Sequence, residues 1–505
     1  MNTLLIPLLV AIPLGGAFFI PLVSRKVRVL ADIIGNLATL SVLVIAVLLF
    51  QVRTVYSIGG WNASVGITWV LDGFSNLMLV IICLISFVAT LFSSQYMERY
   101  TAKYKFYSLF LLMVAGMNGV VMTGDMFNLF VFLEIASVAS YALVAFGGNH
   151  EELEAAFKYL VLASIGSTLV LFGIAFIYGA TGYLNMASIS QAIRTGPRTP
   201  ILTLAVVFFT VGFGIKAALV PFHPWLPDAH PSAPAPISAM LSGVLIKALG
   251  IYALTRVLFN VIGITPIYGA VLITIGALSM VVGVFLAVGQ WDFKRLLAYH
   301  SISQMGYVVL GIGLGGYILA SGGKQSAAML AILGGIFHLA NHSVFKSLLF
   351  LVSGSIEYST GTRQLKEMGG LLEKMPLTRA TCTIASLSIA GVPPFNGFWS
   401  KLIIIMAAFQ GGYPWLAALT ILVSFVTLLS FIKVLRYAFL GHLPESLKAV
   451  RESPALMSIA LVVLAIFCTC MGLLLIPGAR EMILDPAVGA LANGVGYAQA
   501  VLALR

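Results

Sequence analysis

The chain has 505 residues, 60% of them hydrophobic and 9% charged, with a mean hydropathy of +1.04 and a formal net charge of +11. Soluble domains carry roughly a quarter charged residues, so a soluble globular protein is excluded. The 28 Lys and Arg are scattered over many short loops with no basic helix or aromatic-basic module, which argues against nucleic acid as a partner and makes membrane topology the source of the excess.

Apolar windows of about 20 residues predict about fourteen transmembrane helices in an all-α polytopic fold. They run over 3–23, 29–50, 70–94, 106–123, 126–147, 157–180, 200–220, 237–260, 266–289, 296–318, 327–354, 377–409, 414–440 and 453–476. The first is followed by Arg25, Lys26 and Arg28 instead of a small-residue cleavage site, so it reads as a retained helix. The runs are too long for barrel strands and lack a period of two, and no strand is expected. No polar linker divides the chain, which therefore reads as a single membrane domain over 1–505. Cys83, Cys382, Cys468 and Cys470 lie in apolar segments without iron–sulfur or zinc spacing, so no metal and no cofactor is expected in this chain.

If the loop of Arg25, Lys26 and Arg28 is cytoplasmic, the same side gathers Arg99, Lys103, Lys105, Lys158, Lys294, Arg295, Arg363, Lys366, Lys374, Arg379, Arg436, Lys448 and Arg451. The other side receives Arg53, Arg194, Arg198, Lys324, Arg480 and Arg505. The bias predicts both termini outside in a cell inner (plasma) membrane, against the trend of Arg194 and Arg198.

Two segments depart from plain helices. Prolines crowd Val220-Pro221-Phe222-His223-Pro224-Trp225-Leu226-Pro227-Asp228-Ala229-His230-Pro231 and Gly391-Val392-Pro393-Pro394-Phe395-Asn396-Gly397-Phe398. They either end helices at the interface or break them within it, and paired breaks in two halves of a chain point to a transport path. Glu134 is the one acid inside a long apolar run, and Lys216, Lys247, Lys346 and Lys401 also sit away from helix ends. Each charge at mid-bilayer costs roughly 2.5–3.5 kcal/mol on insertion scales, so these five must face protein, water or each other. Static pairing of Glu134 with a lysine is the alternative, as is snorkelling for Lys433 beside Arg436. His338, His342 and Lys346, at i, i+4 and i+8, share one helix stripe. A zinc pair, core histidines and a proton relay all fit that spacing, although the usual third zinc ligand is missing.

These residues also carry a resemblance. Glu134 in Phe132-Leu133-Glu134-Ile135-Ala136, Lys216 before the Pro221–Pro231 stretch, Lys247 in Gly243-Val244-Leu245-Ile246-Lys247 and Lys294-Arg295-Leu296-Leu297-Ala298-Tyr299-His300-Ser301-Ile302-Ser303-Gln304 resemble the antiporter-like subunits of respiratory complex I, the Mrp cation/proton antiporters and the membrane arms of group 4 hydrogenases. His338-Leu339-Ala340-Asn341-His342-Ser343-Val344-Phe345-Lys346 and Pro393-Pro394-Phe395-Asn396-Gly397-Phe398-Trp399-Ser400-Lys401 extend the resemblance over about 70–440.

The resemblance implies fourteen helices with two inverted five-helix repeats, broken near 216–231 and 391–398. Helices 1–3 would occupy 1–105, the repeats 106–260 and 266–440, and helix 14 with a tail 453–476 onward. It implies a proton relay of Glu134, Lys216, Lys247, His338, His342, Lys346 and Lys401, with no catalytic residue. Within the superfamily, Lys401 and the lack of a long lateral helix after 476 fit the D-type member of the Mrp antiporters and its hydrogenase counterparts, while Asp228-Ala229-His230 looks closer to the redox branch. The implied function is a proton-translocating subunit of a redox-driven complex, or alternatively a D-type subunit of an Mrp Na+/H+ antiporter. Partners would be other membrane subunits, with iron–sulfur subunits in the redox reading, and the lipid bilayer. A stand-alone solute carrier fits less well, there being no evident substrate pocket. No Walker-type or dinucleotide glycine motif supplies energy within the chain.

Overall fold

The structure is a computed structural model that describes residues 2–25, 27–62, 66–197 and 199–502. Lys26, Arg198 and Arg505 of the charge bias lie outside the described residues. Before the first break come α1 (Leu8–Val23), α2 (Arg28–Leu48), α3 (Gly73–Tyr96), α4 (Lys103–Met122), α5 (Met126–Val144), α6 (His150–Thr181), the short α7 (Met186–Thr195) and α8 (Pro200–Lys216). The chain continues through α9 (Leu226–Ser232), α10 (Ala235–Ile262), α11 (Pro266–Val288), α12 (Phe293–Ala320), α13 (Gln325–Thr360), α14 (Pro376–Ala390), α15 (Asn396–Gln410), α16 (Pro414–Phe439) and α17 (Ala455–Leu475). Three short helices follow: α18 (Pro477–Ile483), α19 (Asp485–Ala492) and α20 (Gly494–Leu502).

Among the described residues twelve helices are long and apolar enough to cross a membrane, and the α8/α9 and α14/α15 pairs are two further spans, each interrupted into two pieces. The chain belongs to the all-α class of multi-pass membrane proteins, and counting the two interrupted spans matches the expected fourteen. Aspartates start several of them: Asp72 caps α3 in a reciprocal box with Ser75, Asp125 accepts from the Asn128 amide at 2.8 Å, and Asp292 from the Arg295 amide at 2.9 Å.

Both proline-rich segments interrupt their helices. α8 ends at Lys216 and α14 at Ala390, each followed by a left-handed residue, Ala218 at φ 52° and Gly391 at φ 81°. Each then has a cis X-Pro bond, Val220–Pro221 and Pro393–Pro394. A second device recurs on opposite faces of the bundle. The Met126 and Met186 amides donate to the Leu184 and Gly124 carbonyls at 2.9 and 2.8 Å, and the Phe293 and Leu365 amides donate to Arg363 and Trp291 at 3.0 and 2.9 Å. Five crossings separate the two clasps, so the second is the first turned over.

Four expectations need correction. The Thr54–Ser57 and Thr68–Leu71 segments form an antiparallel hairpin, whose β-branched and aromatic residues favour strands but are too few to span. α7 occupies a segment read as loop, and in the tail α19 packs back on α3 and α20 on the end of α10. Gly73 permits this, because a Cβ there would stand 2.2 Å from the Pro486 carbonyl. Lys103 and Lys294, counted as loop charges, are buried: Lys103 binds Asp32 and Glu98 at 2.7 and 2.6 Å, and Lys294 binds Glu357 at 2.9 Å.

Candidate functional site

Glu134 on α5 and Lys216 at the end of α8 face each other. The Lys216 ammonium is 3.6 Å from a Glu134 oxygen, while its hydrogen bonds go to the Ser137 hydroxyl at 2.9 Å and the Tyr141 hydroxyl at 3.3 Å. Ser137 and Tyr141 follow Glu134 by one and two turns, so one stripe of α5 holds the whole cradle. Ser167 of α6 donates to the carboxylate from the other side. The Lys216 side chain is 2% exposed and that of Glu134 31%, so the base is sealed and the acid reaches the bundle surface. With neutral hydroxyls as its nearest partners, the ammonium is attracted to the acid without being locked to it.

Lys247 sits where α10 widens to π turns, over Leu241–Leu245 and Lys247–Tyr252. Such a turn leaves carbonyls off the regular ladder. The Lys247 ammonium bends back to two of them, Ser242 and Gly243, at 2.6 Å each. Gly250, one turn on, brings α10 against the break after Lys216, for a Cβ there would lie 2.5 Å from that of Ala217. Among the described residues no side-chain hydrogen bond joins Lys216 to Lys247.

The stripe of α13 comes next. His338 is held at both ring nitrogens, by Ser400 at 2.9 Å and Gln304 at 3.1 Å. His342 and Lys346 are fully buried and have no hydrogen-bond partner among the described residues. Leaving a buried polar group unmatched costs about 1–3 kcal/mol, and the stripe carries two such side chains one turn apart. Lys247, Lys346, His338 and Lys401 all lie within electrostatic reach of His342. No group of three or more His, Cys, Asp or Glu side chains gathers among the described residues.

Lys401 lies on α15, just past the second break. Its ammonium donates to the Ile389 carbonyl of α14 at 2.7 Å and stands 4.7 Å from the centre of the Tyr307 ring, whose other neighbour is His338 at 5.3 Å. Gly391 makes room, since a Cβ there would come within 3.0 Å of the Lys401 chain. The Gly397 position has none: a Cβ would fall 1.8 Å from the Ser388 carbonyl. The two half-helices therefore interlock at the break.

Of the seven sequence-derived residues, Lys216, Lys247, His338, His342, Lys346 and Lys401 are buried and Glu134 is partly exposed; among the described residues no side-chain hydrogen bond bridges Lys216 to Lys247 or reaches His342 and Lys346. Residues that complete the site were not singled out: Ser137, Tyr141, Ser167, Gln304, Tyr307 and Ser400. Hydroxyls and one amide carry no hydropathy signal, and their only trace is the helical spacing from a charged neighbour. His230 was also passed over; it is fully buried with both ring nitrogens unmatched and stacks on Phe350 at 4.4 Å. Two residues before it, Asp228 binds Arg295 and, at 3.2 Å, Lys158, beside a polar cavity of about 360 Å³. Arg256, a second omission, is a buried cation of α10. Its guanidinium holds Asp72 with both terminal nitrogens, at 2.7 and 2.8 Å, and its Nε donates to the Tyr252 hydroxyl at 3.2 Å. Asp72 lines a cavity of about 570 Å³ on the opposite face, closed by Tyr497 and Asn493.

Comparison with known proteins places this arrangement. A family profile described as NADH:quinone oxidoreductase/Mrp antiporter, TM, matches residues 123–427, and one described as NADH-ubiquinone oxidoreductase (complex I), chain 5 N-terminus, matches 55–107. The D-type subunit of the Na(+)/H(+) antiporter of Alkalihalophilus pseudofirmus OF4 is 37% identical over 447 residues, 87% of each chain. The N-type subunit of the NADH-quinone oxidoreductase of Desulforudis audaxviator is 35% identical over 435 residues, 83% of this chain and 84% of the relative. A chain of the Mrp complex from Dietzia sp. DQ12-45-1b superposes with a TM-score of 0.87 at 30% identity, covering 99% of both chains. A chain of the membrane-bound sulfane sulfur reductase, an archaeal respiratory membrane complex, gives 0.86 at 32% identity over 98% of this chain and 99% of that one. The chain is therefore a member of the NADH:quinone oxidoreductase/Mrp antiporter family of membrane proteins.

Proposed function

We propose that this chain is the proton-translocating, antiporter-like subunit of a multi-subunit, redox-driven complex of the complex I or membrane-bound hydrogenase type. The observation that carries the reading is the row of buried bases from Lys216 to Lys401 with a single acid at its first end. While Glu134 is ionised and close, Lys216 is favoured as ammonium. Moving the two apart lowers its proton affinity, and the proton passes to the next base, by way of Lys247, Lys346, His342 and His338 toward Lys401. The drive for that separation comes from neighbouring membrane subunits, with iron–sulfur subunits among the more distant partners; this chain carries no cofactor and no catalytic residue in this reading. The two repeats, 106–260 and 266–440, would each house half of the path, in an inner (plasma) membrane with both termini outside.

A second reading, a D-type subunit of an Mrp Na+/H+ antiporter, is supported by the 37% identity to the Alkalihalophilus protein. Purification of the native complex separates them. Chains carrying iron–sulfur clusters with nickel or flavin subunits are expected, and a complex of small membrane subunits alone would favour the antiporter. In vesicles with a pH-sensitive dye, Glu134→Ala and Lys216→Ala should each abolish proton translocation while the complex stays assembled. Wild-type pumping by either assembled variant would overturn the relay.

A further inference from the structure

The end of α16 and the turn after α13 enclose a cavity of about 620 Å³ at the charge-rich face, with Lys366, Arg436, Tyr437 and His442 in its walls. Beside it, the Trp291 ring has the Lys366 ammonium 4.5 Å and the Lys433 ammonium 4.9 Å from its centre, and meets Tyr437 edge-on at 5.0 Å. Trp and Tyr paired in this way mark the headgroup level of a bilayer. Lys433 does not snorkel freely: it donates to the Val288 and Gln290 carbonyls at 2.7 Å each, closing the end of α11. Its charge nevertheless adds to the site.

No carboxylate neutralises Lys366, Lys433 or Arg436 within 4.0 Å among the described residues. The acids close in sequence are engaged elsewhere, Asp292 by Arg363 at 3.1 Å, Glu367 by the Thr362 hydroxyl and Glu445 by Lys448 at 2.6 Å. The walls are fixed before any ligand arrives, because the Gly370 and Leu372 amides donate to Leu440 and Phe439, both at 3.2 Å. On the bilayer side of Arg436, α16 exposes Phe425, Leu429 and Ile432 in one helical stripe. An uncompensated basic pocket above an apolar, membrane-facing stripe is complementary to a phosphate above an acyl chain. A soluble anion would use only the upper half, and a docked protein would have to bring acids into the headgroup layer.

We propose that this cavity binds an anionic glycerophospholipid, its phosphate between Lys366 and Arg436 and one acyl chain along Phe425, Leu429 and Ile432. The inner side of the same helix holds His300 through Ser430 at 2.8 Å, so the lipid would steady a helix that borders the buried row.

The test is native mass spectrometry of the full chain released from detergent, titrated with phosphatidylglycerol, with phosphatidylcholine of the same acyl chains, and with glycerol 3-phosphate. Phosphatidylglycerol should be retained at about tenfold lower concentration than phosphatidylcholine. K366Q/R436Q should erase that preference, K366R/R436K should keep it, and L429S should weaken retention of both lipids without touching the charges. Equal retention of the two lipids by the native chain, or an unchanged preference in K366Q/R436Q, would overturn the proposal. Displacement of phosphatidylglycerol by an equal concentration of glycerol 3-phosphate would overturn it too, making this a soluble-anion site. So would near-complete cross-linking of R436C to another protein chain in native membranes, which would make the face a protein interface.

Discussion

The two helix breaks share a backbone and differ in electrostatics. A shift of 173 residues lays Ala218 on Gly391 and Val220–Pro221 on Pro393–Pro394. The same shift lays Lys216 on Ile389 and Asp228 on Lys401. In the first break the buried base precedes the turn and meets a carboxylate from another helix; in the second it follows the turn and meets a backbone carbonyl. A carboxylate can be protonated or drawn away, whereas the Ile389 carbonyl can do neither while α14 stands. In the proposed relay the first break is the adjustable end and the second the fixed receiver, which would give a transfer between them a direction.

Exchanging the bases for apolar side chains is the strongest way to break this contrast. Lys216→Met should abolish proton translocation and cost about 2 kcal/mol of stability, because it strands Glu134 in the bilayer. The double variant E134Q/K216M should recover most of that stability but no transport, as read by thermal unfolding and a vesicle dye assay. Lys401→Met should also stop transport, and no substitution at Glu134 should rescue it. Next, Lys401→Glu restores an ionisable group at the receiver and should retain part of the transport lost in Lys401→Met; full transport by the methionine variant would show that Lys401 is a bystander. Gly391→Ala puts a Cβ at φ 81° against Lys401 and should slow transport several-fold, with a loss of about 1 kcal/mol. The smallest effect belongs to the matching position. Ala218 holds its left-handed conformation at a cost that Ala218→Gly removes, so that variant should gain about 0.5 kcal/mol with transport unchanged.

Much of this architecture was legible in hydropathy. The fourteen apolar windows fall on the twelve long apolar helices and the two interrupted spans because a bilayer sets a minimum length for a crossing, and charges inside those windows stand out since each is so costly. Glu134, Lys216, Lys247, Lys346 and Lys401 were visible for that reason. Arg256 was not, although it is as deeply buried; it lies near the end of the 237–260 window and its partner Asp72, 184 residues away, near the start of the 70–94 window, where a charge reads as marking a helix end. Lys103 and Lys294 looked like loop charges because their position at helix ends suits either role, and only the packing of α2 and α13 supplies Asp32 and Glu357. The π turns that give Lys247 its carbonyls carry no hydropathy signal, and they lie where α10 packs between α8 and α13. Hairpin and tail escaped because neither is long or apolar enough to register in a window of membrane length.

The tail carries a consequence for how the protein is made. Tyr497 lies with its ring 5.2 Å from the Arg256 guanidinium, and Asn260 of the same helix donates to the Ala490 carbonyl at 2.8 Å. A ribosome adds roughly 5–20 residues per second, so tens of seconds separate the emergence of Arg256 from that of Tyr497. Throughout that interval α10 and the start of α3 are inserted while their outer ends lack the cover they have in the finished chain. A nascent chain halted near residue 476 should therefore be open to protease at Asp72, where the chain carrying the tail is not.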